Sequence, residues 1–137
     1  MSVDIHELDS NGDNIDEVSD GIIEAIAAVG VADLLMSVGE VTVFYRTENG
    51  VWLEEIRISK AIKNFGYSIA LGNSTLLIAA TNDDGTGVVF SYERISSAEG
   101  PGLATWKLVD TLFPPVGSFY GTVATFGTQL FFYFLII

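Results

Sequence analysis

Apolar and polar residues follow one another in short runs along this chain, and the clearest stretch is Phe65 to Arg94, FGYSIALGNSTLLIAATNDDGTGVVFSYER. Ser68–Leu71 and Thr75–Ala80 are β-branched and apolar, with Gly72-Asn73-Ser74 between them, which predicts a β-hairpin. The polar, glycine-rich Asn82–Gly87 then gives way to Val88–Tyr92, the third strand of a meander. Its landmarks recur. Trp52 stands 13 residues before Phe65 and Trp106 stands 13 before Phe119, a repeat of 54 that also sets Ile69-Ala70 on Val123-Ala124 and Leu76-Leu77 on Leu130-Phe131. Upstream, an offset of 42 sets Gly30 on Gly72 and Leu34-Leu35-Met36 on Leu76-Leu77-Ile78, while Val41–Arg46 stands where Val88–Arg94 stands. The pattern predicts three β-units, about 21–50, 51–104 and 105–137, the last incomplete, behind an acidic segment 1–20. Units of this length cannot bury their apolar faces alone and must stack.

Other segments take their expected places around this array. Residues 20–36 allow two readings. By propensity Ile22–Ala28 suits a helix capped by Asp20 and stopped at Gly30. The repeat instead predicts two strands with a turn over Gly30-Val31-Ala32-Asp33. Thr47-Glu48-Asn49-Gly50 reads as a hairpin turn between Val41–Arg46 and Val51–Ile58. Trp52 and Trp106, aromatics at fixed phase, are expected to pack on neighbouring strands. Ser96–Gly102 is a loose connector, and Pro114-Pro115 ends the strand before it. The apolar run Leu130–Ile137 is eight residues long, against the ~20 a membrane-spanning helix needs. It is expected to be a buried strand, the alternative being the start of a longer membrane segment, and if left exposed it would drive self-association.

The middle unit resembles an FG-GAP repeat. The resemblance rests on Trp52, Phe65-Gly66-Tyr67-Ser68-Ile69-Ala70, Leu76-Leu77-Ile78-Ala79-Ala80, Asp83-Asp84-Gly85 and Gly87-Val88-Val89-Phe90, and in weaker form it extends over residues 20–133. The upstream unit departs from the pattern, with Ile22-Ile23 where Phe-Gly is expected, and the downstream one has Phe119-Tyr120-Gly121. Ala79-Ala80-Thr81 stands in place of Gly-Ala-Pro. Such repeats form the blades of seven-bladed propellers, as in integrin α-subunits. The resemblance therefore implies an all-β fold, a partial β-propeller-like array of antiparallel three- to four-stranded blades, with the Trp-bearing strand outermost. It also implies an extracellular or cell-surface location, and that further blades lie on sequence not included here.

Composition narrows the function classes. With 18 Asp and Glu against 6 Lys and Arg, the net charge is −12, which opposes binding to phosphate backbones, and no basic patch is present. Nucleic acid is not an expected partner. The absence of cysteine removes disulfides, thiolate catalysis and zinc-thiolate sites. Met1–Glu7 lacks the basic and apolar regions of a secretory signal. Neither a Gly-x-Ser-x-Gly elbow nor a phosphate-binding glycine loop occurs, and the one histidine, His6, has no second His or Cys to complete a transition-metal set. No enzymatic activity is expected.

The candidate chemistry lies near the start, where every charged residue before Arg46 is acidic. Asp9, Asn11 and Asp13 fall at positions 1, 3 and 5 of a loop, with the Ile15 carbonyl at 7 and Glu17 at 9. Alternate oxygen donors on a tight turn, eased here by Gly12, are what a hard cation such as Ca²⁺ requires. An EF-hand register would put Asp20 at position 12, but Asn14 stands where glycine is needed. The same residues are also turn formers, and a solvated acidic segment would look alike. The stretch Asp9–Glu17 is similar to the calcium loops that propeller repeats carry between strands. Asn82–Gly87 is a weaker cation candidate, and Asn73-Ser74-Thr75 is a glycosylation sequon. The expected function is a calcium-stabilised binding or adhesion module for a protein or glycan ligand. The alternatives are a non-catalytic propeller part of a larger secreted hydrolase, or a truncated product without independent function.

Overall fold

The computed structural model describes residues 1–7, 25–32, 38–72, 74–82, 85–99, 103–113, 118–126 and 129–136. Among them the chain is all-β, with two open four-stranded antiparallel sheets and no helix. The first sheet is a meander of β1 (Ser2–Glu7), β2 (Ala25–Ala32), β3 (Gly39–Arg46) and β4 (Trp52–Lys60). The second repeats it with β5 (Ile69–Leu71), β6 (Thr75–Thr81), β7 (Gly87–Ile95) and β8 (Thr105–Leu112). A further antiparallel pair, β9 (Ser118–Phe126) and β10 (Gln129–Ile136), follows.

Each tryptophan strand lies at the outer edge of its sheet and pairs with the strand before it. Both outer strands carry a bulge. Glu55 is the extra residue between the Val43/Ile56 and Phe44/Glu54 pairs, and Val109 is the extra residue between Ser91/Asp110 and Tyr92/Leu108. Val109 stands the same 54 residues after Glu55 as Trp106 does after Trp52, so the repeat of the outer strands is structural as well as sequential.

The expected turn is not found over Gly30–Ala32, and Asp33 lies outside the described residues. Ala25–Ala32 is one continuous strand in which Gly30 pairs with Ser2 on one side and Val41 on the other. Its counterpart in the second sheet is reached by an offset of 49, not 42, since the Ala32/Gly39 rung matches Thr81/Gly87 and the Val29/Thr42 rung matches Ile78/Phe90. Gly30 marks a crossing point and not a bend. A Cβ there would overlap the Gly66 carbonyl oxygen, and one at Gly39 would overlap the Phe65 carbonyl. Gly66, at φ 87°, takes a left-handed conformation that glycine alone adopts without strain. The alternative helix over Ile22–Ala28 is also not found where it can be checked, since Ala25–Ala28 is strand.

The two four-stranded sheets pack face to face. Ile26, Ala28, Val41 and Val43 of the first meet Ile69, Leu71, Leu76, Ile78, Ala80, Val88, Phe90, Tyr92 and Trp106 of the second, with Phe65 fully buried among them. β6 is buried on both faces, because Leu77 and Ala79 form a second cluster with Ala70 and Val89 on the opposite side, and β9 runs past β5, β6 and β7. A strand apolar on both faces is what a middle layer requires, and it explains why Leu76–Ala80 does not alternate. The connector from β4 to β5 extends the edge of β6. Gly66 N–H donates to Ala79 O (3.0 Å), Ala79 N–H to Ser68 O (2.9 Å) and Thr81 N–H to Lys63 O (2.8 Å).

Because the Gly39 position leaves no room for a methyl group against backbone, Gly39→Ala should cost about 2–4 kcal/mol, read as a lower urea midpoint at unchanged slope. A second expectation concerns alkaline pH. Burial pushes the Tyr92 and Tyr67 phenols above their ordinary 10.0. Their contribution is therefore intact below pH 10 and is lost as the pH rises above it, since the unfolded phenols ionise first. Urea midpoints followed from pH 8 to 11 should fall above pH 10, and less steeply in Tyr92→Phe.

Candidate functional site

β1 and β5 lie side by side and point the same way, which fixes where the loops leave the sheets. Ser2 Oγ donates to Gly66 O (2.7 Å), and Leu71 N–H donates to Asp4 Oδ2 (2.7 Å), so Asp4 caps the open edge of β5. The β1–β2, β3–β4, β5–β6 and β7–β8 connections therefore share one end of the stack.

The candidate calcium loop occupies the first of these connections. Asp9, Asn11, Asp13, Ile15 and Glu17 lie outside the described residues, but the strands on either side are described. β1 and β2 pair through Glu7/Ala25, and that rung continues through Arg46 to Trp52. The 17 residues between Glu7 and Ala25 thus start and finish on adjacent strands. In the second sheet the same connection is only Gly72-Asn73-Ser74, closed by Gly72 N–H on Thr75 O at 2.7 Å. Asn73 of the sequon lies outside the described residues. His6 is part of β1, paired with Ile26.

The weaker cation candidate sits at the other end, between β6 and β7. Asp83 and Asp84 lie outside the described residues. Around them the turn is closed by Asn82 N–H on Thr86 O (2.8 Å), Gly85 N–H on Asn82 O (2.9 Å) and Asn82 Nδ2 on Thr86 Oγ1 (3.3 Å). Those groups are spent on the turn itself. Among the described residues no group of three or more His, Cys, Asp or Glu side chains is placed to hold a metal ion. Nor is any helix of the described residues long and apolar enough to cross a membrane.

The most buried ion pair among the described residues was not visible in the sequence pattern. Glu55, turned inward by its bulge, is 0% exposed in its side chain and meets Arg94 of the second sheet, 7% exposed. The pair is bidentate. Arg94 Nε donates to Glu55 Oε2 at 3.0 Å and Arg94 Nη2 donates to Oε1, while Trp106 Nε1 donates to Oε2 at 2.8 Å. Arg94 Nη1 also reaches Ser96 Oγ (3.3 Å), and the Arg94 backbone N–H donates to Ser74 O (2.8 Å). A buried carboxylate with three donors and a guanidinium with fork-on-fork geometry form a satisfied pair that fixes how the sheets register. The signal was Glu54-Glu55 inside a strand: adjacent side chains on a pleat point to opposite faces, so one of the two carboxylates must turn inward, and the bulge makes it Glu55. Glu54 does face outward, where Arg57 bridges it (2.7 Å) and Glu40 (3.5 Å) at an exposed rim.

Neither a family model, nor a curated protein, nor a solved structure matches the chain.

Its contacts with Arg94 and Trp106 of the second sheet make Glu55 a clamp between the sheets. Glu55→Gln should leave the buried Arg94 charge uncompensated and cost about 3–5 kcal/mol. Glu54→Gln, at the exposed rim, should cost under about 1 kcal/mol in the same urea series.

Proposed function

We propose that this chain is a non-enzymatic binding module, a β-propeller-like blade array of FG-GAP type whose Asp9–Glu17 loop takes up Ca²⁺. Its loop-bearing end presents a surface to a protein or glycan ligand. One observation carries the reading: a 17-residue acidic excursion interrupts the β1–β2 hairpin, where the sister sheet makes do with three residues. Asp9, Asn11, Asp13, the Ile15 carbonyl and Glu17 supply alternate oxygens there, and a hard divalent cation is the partner that such a set suits.

The fold supports the blade reading. Successive four-stranded meanders stack face to face with their first strands nearest one another, the tryptophan strand is outermost in each, and Phe65-Gly66 sits at the crossing of the sheets. In such an array the strands are scaffold and the loops at one end meet the ligand. An extracellular setting, with its millimolar calcium, belongs to the same reading.

Calorimetric titration of Ca²⁺ into the metal-free chain tests it. The expected result is saturable binding and a rise in melting temperature, worth about 2.7 kcal/mol at a hundredfold excess over Kd. Both effects should vanish in Asp9→Ala/Asp13→Ala. A chain that takes up no calcium, or a double variant that binds it as well as the parent, would refute the assignment of this loop.

A further inference from the structure

We infer that the outer edge of β8 pairs antiparallel with β8 of a second copy of this chain, across a two-fold axis that sets Lys107 of each copy against Asp110 of the other. The contact is lateral. It joins two sheets edge to edge, adds no layer to the stack, and does not depend on the calcium loop.

Four strands end the two four-stranded sheets, and they differ in what guards them. β1 and β5 lie side by side, held by Ser2 on Gly66 and by Asp4 on Leu71. β4 carries Glu54, Glu55, Arg57 and Lys60, and its exposed rim is closed on itself where Arg57 meets Glu54 and Glu40. On β8 the charged residues are one lysine and one aspartate, and among the described residues no strand pairs with its outer side. Between the two charges stand Leu108, 39% exposed, and Val109, 50% exposed. An open edge that is apolar at its centre, with few charges and no proline, is a template for another strand.

The bulge selects the register. On a regular strand, residues three apart face opposite sides, so a two-fold axis midway between them would leave their side chains on different faces. Here Lys107 pairs with Glu93 and Asp110 with Ser91, two positions apart on β7, which puts both charges on one face. The extra residue Val109 makes the difference. With the axis between Leu108 and Val109, Lys107 stands opposite Asp110 of the second copy, and the two-fold repeats the pair. Trp106 and Thr111, matched across the same axis, also share a face, since they pair with Arg94 and Phe90. Asp110 Oδ1 accepts from the neighbouring Thr111 N–H at 2.8 Å, and among the described residues neither Lys107 nor Asp110 belongs to an ion pair. Opposite charges directly across a strand pair stabilise it, and like charges there oppose it.

Sedimentation equilibrium on the full chain tests the contact. The parent should form a concentration-dependent dimer. Asp110→Lys sets lysine against lysine at both pairs and Lys107→Asp sets aspartate against aspartate, so each should raise the dimer Kd about tenfold or more. Both positions are exposed, and far-UV circular dichroism should be unchanged in either variant. Mixed one to one, the two variants should dimerise with the parent Kd, because every lysine then meets an aspartate again. A parent that stays monomeric at about 1 mM overturns the proposal. So does an oligomer indifferent to both substitutions, such as one held by Leu130–Ile137, and so do two variants that remain apart when mixed.

Discussion

Two sheets can share one core only where their backbones are free to approach, and here that freedom rests on Gly30, Gly39 and Gly66. The three meet toward the end of the stack where β2 passes to β3. At Gly66 a Cβ would stand 3.0 Å from Val41 Cγ2 and 3.5 Å from Gly30 Cα. Their closeness lets the connector bring Phe65 under both sheets, where its ring tilts against Phe90 with centroids 5.8 Å apart. Everything that follows in the second sheet inherits this placement: the β6 edge is extended by Ser68, Gly66 and Lys63, and β5 is laid beside β1. A backbone crossing is a steep constraint because interiors are packed to crystalline density and a methyl group has nowhere to go.

On the outer strands, toward the opposite end, the sheets are joined by long side chains. Glu55, Arg94 and Trp106 span the gap there. A buried ion pair is a poor source of net stability, because desolvating both charges offsets most of their attraction. Its value here is registry. A bidentate fork accepts one geometry, whereas aliphatic contacts between Ile56, Ile58 and the facing strands would tolerate sliding.

Much of the fold was legible in the chain. The strands over Val41–Arg46, Val51–Ile58, Thr75–Ala80 and Val88–Tyr92 are present within two or three residues of their expected limits, because β-branched runs between glycine-rich turns report local chemistry directly. Gly30 misled for a physical reason: a glycine needed for close approach and a glycine needed for a turn look the same in one dimension. Glu55 escaped notice because its inward orientation depends on a one-residue bulge, and a bulge reverses the side-chain parity on which pattern reading relies. The proposed loop was legible as chemistry, while its place in the first hairpin of a meander emerged only from the pairing of Glu7 with Ala25.

That place carries an energetic argument of its own. Closing a connection of 17 residues instead of 3 costs about 1.5 kcal/mol more in chain entropy, by logarithmic scaling with length. Asp9, Asp13, Asp16, Glu17, Asp20 and Glu24 add mutual repulsion within that short span. A hairpin bearing such an insertion is therefore weaker than its sister, unless something binds the loop in the folded state and not in the unfolded one. A cation bound by the proposed loop would do both jobs at once, since it would cancel the repulsion and order the chain around it. The sister sheet offers the comparison within one molecule: Gly72-Asn73-Ser74 at the same connection carries no acidic residue.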